Sequence, residues 1–180
     1  MLAKDSENNK KKKIQEQVWK QRLNSPNQEV IIDTVKEIRD YGNVRILPEI
    51  IEKYANENNN LIKKELAKFL IDIKHKSARE IIFSYIMNDD YKHIRKDLLS
   101  FLWQSRLDYS KYLNELVDLF LSEPFDTAFE VFTVIEYLSL TKHKEIIEKS
   151  IYKLKQSLEI IDEKKKILLI DLVDLLKRWI

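Results

Sequence analysis

The groups in this chain that could do chemistry are its three histidines, thirty carboxylates and thirty-two lysines and arginines. His75, His93 and His143 fall in polar surroundings near expected helix starts, and none pairs with a second histidine at metal-ligand spacing. They read as surface histidines, and no metal is expected. The chain has no cysteine, so it offers neither a thiol nucleophile nor a disulfide framework. A sequence with a single glycine contains no phosphate-cradling loop, no nucleophile elbow and no nucleotide-binding fingerprint. Carboxylates that act as a catalytic pair need a desolvated pocket. Those here are spread through highly charged segments and are expected on solvated faces. The expectation is a protein that binds rather than catalyses, without a cofactor.

Helices must position whatever binds. With one glycine and three prolines, the chain lacks the turn residues that a sheet protein needs. Four phrases resemble one another: PEIIEKY, REIIFSY, NELVDLF and KEIIEKS. Their glutamates, Glu49, Glu80, Glu115 and Glu145, recur at intervals of 31, 35 and 30 residues, each followed by an aliphatic pair. Between them runs a second pattern with i, i+4, i+7 spacing. It reads Ile31/Val35/Ile38, Ile62/Leu66/Phe69, Ile94/Leu98/Phe101, Ala128/Phe132/Ile135 and Leu168/Leu172/Leu175. Each set falls on one helix face. Two amphipathic helices per 30 to 35 residues is the pattern of a helical repeat, in which stacking completes a core that one pair cannot close. The predicted helices run over 10–24, 27–41, 44–56, 59–74, 77–88, 91–106, 110–122, 124–139, 142–160 and 162–179. Ser25 is expected to cap the second, Gly42 to end it in a left-handed conformation, and Pro48 to bend or delay the third.

Within that period, Asp89 and Arg95 stand six residues apart, and Glu57 and Lys63 repeat the spacing by charge type. This arrangement resembles the HEAT repeat, whose proline-bent first helix is followed by an Asp at the turn and an Arg six residues later. The resemblance covers residues 27–180. It implies an all-α, right-handed superhelix of about four to five helix pairs, with second helices lining a concave face. Glu123 and Glu163 occupy the acidic position, but Phe129 and Leu169 stand where the basic partner would be. The segments WQSRLDYSKYLNELVDLF and FDTAFEVFTVIEYL are similar to a small group of HEAT-like bacterial proteins of unassigned function. HEAT-like DNA glycosylases share the helical layout, but no motif of theirs is present to carry over.

Charge is distributed unevenly along the chain. Residues 107–140 hold one basic and seven acidic side chains, against ten basic and six acidic in residues 61–106. On the helix over 124–139, one face carries Ala128, Val131, Phe132, Ile135 and Leu138. The other carries Asp126, Phe129, Glu130, Thr133, Glu136 and Tyr137. Two aromatics among three carboxylates suit an anchor for a protein or peptide with a basic surface. The alternative for both is packing against neighbouring helices, and Trp103 reads as packing at a repeat junction. The alternative ligand is nucleic acid, with Lys64, Lys68 and Lys96 on second helices contacting phosphate. Their acidic neighbours Glu65 and Asp97 weaken that reading, as does a net charge of only +2.

The ends complete the picture. Residues 1–13, with the Lys10–Lys13 run, read as a disordered polar and basic tail before a single repeat domain over 14–180. No apolar run is long enough for a signal or a membrane span, so the chain is expected in the cytoplasm. Ile167 and Ile170 fall outside the apolar arc of the last helix. If exposed, they would suit self-association through that helix.

Overall fold

The apolar spacings seen in the sequence become the buried faces of helices. The computed structural model describes residues 2–41, 44–141 and 143–180, with side chains from Lys12 onward. The described residues form α1 (Leu2–Leu23), α2 (Gln28–Tyr41), α3 (Leu47–Asn56), α4 (Asn60–Asp72), α5 (Ala78–Met87), α6 (Arg95–Ser105), α7 (Leu113–Ser122), α8 (Phe125–Glu136), α9 (Lys144–Gln156) and α10 (Glu163–Lys177). Short 3-10 turns, Val44–Ile46, Asp89–Ile94 and Ser110–Tyr112, lead into α3, α6 and α7. No strand occurs among the described residues, and no helix there is long and apolar enough to cross a membrane.

The chain divides into two compact units, Met1–Met87 and Asn88–Ile180. In the first, α1 packs on α2, α2 on α4, and α3 on both α4 and α5. Ile31, Val35 and Ile38 of α2 and Ile62, Leu66 and Phe69 of α4 are all buried. The α2–α4 packing is pinned at one end by a hydrogen bond from Asn59 Nδ2 to Gln28 Oε1 of 2.7 Å. Trp19 and Leu23 of α1 join this core, which the sequence patterns did not include. The Glu37 carboxylate accepts from Trp19 Nε1 at 2.9 Å, Gln15 Nε2 at 3.0 Å and Arg22 Nη1 at 2.5 Å, fixing α1 against α2. The Trp19 hydrogen bond, reinforced by Arg22, holds the Glu37 carboxyl below its ordinary pKa against the opposing effect of burial. Helix α1 takes in residues 2–13, where the sequence reading places a disordered tail.

In the second unit, α6 packs on α8, α7 on α8 and α9, and α10 on both α8 and α9. Ile94, Leu98, Phe101, Ala128, Ile135, Leu168 and Leu172 are buried as their spacing predicts. Phe132 and Leu175 are only half-buried, and Val134 takes the place in the core expected of Phe132.

Helix boundaries follow local chemistry. Asn27, not Ser25, caps α2, because its Oδ1 accepts from Glu29 N at 2.9 Å. Ser25 Oγ instead accepts from Asn27 N, holding the turn one residue further from the helix. Gly42 lies outside the described residues. Pro48 delays α3 rather than bending it: the chain runs as a 3-10 turn to Ile46, and proline sits in the first turn, where a missing N–H costs nothing. Asn59 and Asp162 cap α4 and α10 through their side chains. Helix α6 ends on Arg106 in the left-handed region at φ 57°, a position more comfortable for glycine.

Candidate partner-binding face

Three features of helix α8 determine its surface. Its apolar residues at 128, 131, 134 and 135 turn inward against α6, α7 and α10. That leaves Phe125, Phe129 and, at its end, Tyr137 on the outside. Phe129 is 50% exposed and Tyr137 62%, so neither is a core residue. Phe125 and Phe129, one helical turn apart, have ring centroids 6.5 Å apart.

Trp103 of α6 completes the face. Its ring stacks on that of Tyr137 with centroids 5.8 Å apart and planes inclined at 18°. Its Nε1 donates to Glu130 Oε2 at 3.1 Å. Trp103 is therefore half-buried, not the junction packing residue that its sequence position suggests. The stack holds one side of the Tyr137 ring against protein and leaves the residue largely open to water. Phe125 could have been read from the sequence as the i+4 neighbour of Phe129. The Trp103–Tyr137 stack could not, because 34 residues separate the two.

The carboxylates differ in their surroundings. Asp126 lies 4.0 Å from Lys96 Nζ, a loose surface pair. Glu130 accepts only from a neutral indole, so its charge is not cancelled. Glu136 is exposed and has no ion-pair partner among the described residues. Thr133 is half-buried, and its hydroxyl donates to Phe129 O at 3.0 Å within its own helix. Two uncompensated carboxylates thus lie on α8 near an exposed aromatic stack. Other acidic groups of the 107–140 stretch are occupied: Glu123 by Arg95, and Asp118 by Lys153.

The alternative phosphate-binding lysines are less available. Lys68 Nζ is paired with Glu65 Oε1 at 2.5 Å, and Lys96 sits on Asp126, while Lys64 is exposed. The Lys68 ammonium holds the Glu65 carboxyl below its ordinary pKa. His75 and His93 are exposed and His143 is half-buried. The described residues contain no group of three potential metal-binding side chains. His75 Nδ1 accepts from Ser77 N at 3.3 Å, a local turn contact.

Beneath this face lies a charge network that the sequence showed only in part. Arg95 Nη2 donates to Asp89 Oδ1 at 2.7 Å, as the six-residue spacing suggests. The other pair matched by charge type does not form: Glu57 binds Lys53 at 3.0 Å, and Lys63 lies over the Tyr54 ring at 4.8 Å. Lys53 is four residues from Glu57 on the same helix, a nearer partner than Lys63 across the turn. Lys165 of α10, buried, donates to the carbonyl oxygens of Phe120, Leu121 and Glu123 at 2.8–2.9 Å. It thereby caps the C-terminal end of α7. Compared with known proteins, the chain matches no family model and no curated protein.

Proposed function

We propose that this chain is a non-enzymatic interaction scaffold, a HEAT-like right-handed α-solenoid of four to five helix pairs. Its α6–α8 face would bind a protein or peptide segment carrying basic side chains. The observation that carries this reading is the exposed Tyr137 ring, stacked on Trp103 on a face that includes the uncompensated carboxylates Glu130 and Glu136. An aromatic ring held rigidly by a second ring loses little conformational freedom on binding. Its open side can take the methylene stem or the cation of a lysine or arginine, and nearby carboxylates add charge complementarity. The solenoid reading draws support from the packing within each unit, where second helices meet second helices (α2 with α4, α6 with α8, α8 with α10) and first helices meet first (α3 with α5, α7 with α9).

The test is affinity capture from native lysate, with and without nuclease, using the wild-type chain, Phe129→Ala/Tyr137→Ala and Glu130→Lys/Glu136→Lys. The reading predicts a protein retained in both nuclease conditions and lost with either double variant. Capture that disappears with nuclease and survives both double variants would reject it in favour of phosphate contacts by Lys64, Lys68 or Lys96.

A further inference from the structure

Away from the α8 face, and independent of that reading, a cavity of about 270 Å³ opens between α1 and α3 in the unit Met1–Met87. Its walls are Lys20 and Asn24 from α1 and Glu49, Glu52, Lys53 and Asn56 from α3. The four α3 residues fall at i, i+3, i+4 and i+7, so one stripe of the helix faces the space. Leu23, itself buried, supplies an apolar patch of lining.

The hydrogen-bonding capacity of this lining is lopsided. Asn24 Nδ2 donates to Lys20 O at 2.9 Å, and Asn56 Nδ2 donates to Glu52 O at 2.8 Å. Each amide is thereby anchored through its nitrogen, and its oxygen remains an acceptor. Lys53 is paired with Glu57, and Lys20 with Glu49. The Glu49 carboxylate raises the Lys20 ammonium above its ordinary pKa. Glu52 accepts from the neutral Tyr85 hydroxyl at 3.2 Å, so its charge has no counterion in that contact. Glu49 Oε2 is sealed from solvent and has no hydrogen-bond partner. The cavity therefore presents two carboxylates and two amide oxygens, with Lys20 as its one cation not held by a group outside the lining.

We infer that this cavity binds a short aliphatic diamine, one ammonium on Glu49 and the other on Glu52, with Lys20 occupying the first ammonium position as a tethered stand-in until the ligand displaces it. Several observations favour a diamine over other ligands. Glutamates three residues apart on a helix have Cβ atoms about 5–6 Å apart, a span that a four-carbon diamine bridges. The Asn24 and Asn56 oxygens can take the remaining N–H protons, and Leu23 can contact the methylene chain. The volume admits about nine non-hydrogen atoms at ~30 Å³ each, more than such a diamine needs. An anion would meet Glu49 and Glu52. A metal dication would find the lysines among its neighbours.

Isothermal titration of the full chain with 1,4-diaminobutane at low ionic strength tests this, with n-butylamine and Mg²⁺ as controls. The proposal predicts saturable binding of the diamine and weaker binding of the monoamine. Glu49→Gln and Glu52→Gln should each weaken diamine binding by about tenfold, the worth of one charged hydrogen bond. Lys20→Met should tighten it, because the tethered competitor is gone. Circular dichroism and a urea midpoint confirm that each variant folds, and the exposed Glu52→Gln decides the matter if Glu49→Gln does not. The proposal is overturned by any of three results: no heat with wild type and with Lys20→Met, equal binding of Mg²⁺ and diamine, or affinity unchanged by Glu52→Gln.

Discussion

Arg95 and Glu123, 28 residues apart, form an ion pair in the interior: Nη1 donates to Oε1 at 2.5 Å, with the side chains 3% and 6% exposed. Arg95 begins α6 and Glu123 follows α7, so the pair joins one helix pair to the next. Asp89 holds the other side of the same guanidinium, and Arg95 in turn keeps the Asp89 carboxyl below its ordinary pKa. Removing one member of such a pair strands a buried charge, whereas removing both does not. We expect Arg95→Met and Glu123→Gln each to cost about 3–5 kcal/mol, and Arg95→Met/Glu123→Met to cost clearly less than their sum. Urea denaturation of the three variants and wild type closes the cycle. Strict additivity would show that the two residues do not act as a unit.

Lys165 offers a second test of the same region. Its three hydrogen bonds satisfy carbonyls that the end of α7 leaves without an intrahelical partner. Lys165→Met retains the apolar stem and loses all three. We expect a loss of about 2–4 kcal/mol, since buried acceptors left unpaired cost about 1–3 kcal/mol each before any relaxation. Hydrogen exchange of the α7 amides should quicken locally in the same variant. A midpoint unchanged from wild type would show that water replaces the ammonium at little cost.

Acid should loosen α1 from α2 through Glu37. Its folded pKa lies below the ordinary value of 4.5, chiefly because Trp19 Nε1 donates to it, with Arg22 adding to the effect. A depressed carboxyl contributes stability that is complete above about pH 4.5 and is lost as pH falls through the lowered folded value. In Glu37→Gln that part of the acid dependence should vanish. Stability measured from pH 7 down to pH 3 should therefore fall less steeply in the variant, and the two curves should converge at the acid end. Parallel curves would contradict the assignment.

The two faces of α10 should respond in opposite ways. Ile167, 73% exposed, and Ile170 lie outside the packed arc, while Leu169 and Leu172 are fully buried. Ile167→Ser/Ile170→Ser is expected to leave the melting midpoint nearly unchanged, whereas Leu169→Ala or Leu172→Ala should cost about 2–5 kcal/mol. Sedimentation at rising concentration adds a separate readout. If the exposed isoleucines mediate self-association, the serine pair should remove it without lowering stability.

Replacing Tyr137 tests how the binding face is held. Tyr137→Ala removes the stack on Trp103 and should cost only about 0.5–1.5 kcal/mol, since the residue is mostly exposed. Trp103 fluorescence should shift as its ring gains water. A loss several times larger would mean that the tyrosine anchors α6 to α8 rather than serving as an exposed contact.

The sequence by itself determined the helices and most of their buried faces. A period of three to four residues is a local property, and Ile31, Ile62, Ile94 and Leu168 were placed by spacing alone. It also marked the α8 face, because Phe129 and Tyr137 fall off the apolar stripe of their own helix, and it identified Arg95 with Asp89 across a single turn. Only the tertiary structure decided which partners lie across helices. Lys63, by spacing alone, resembles Arg95, yet Glu57 took Lys53 and left Lys63 on an aromatic ring. Glu123, without a basic residue six positions later, received its arginine from the preceding helix pair. Trp103 met Tyr137, and Lys165 reached the end of α7, over separations of 34 and more than 40 residues. The reason is one of range. Backbone hydrogen bonds and apolar periodicity act within a few residues, whereas charges and rings find partners only once packing has set the distances between helices.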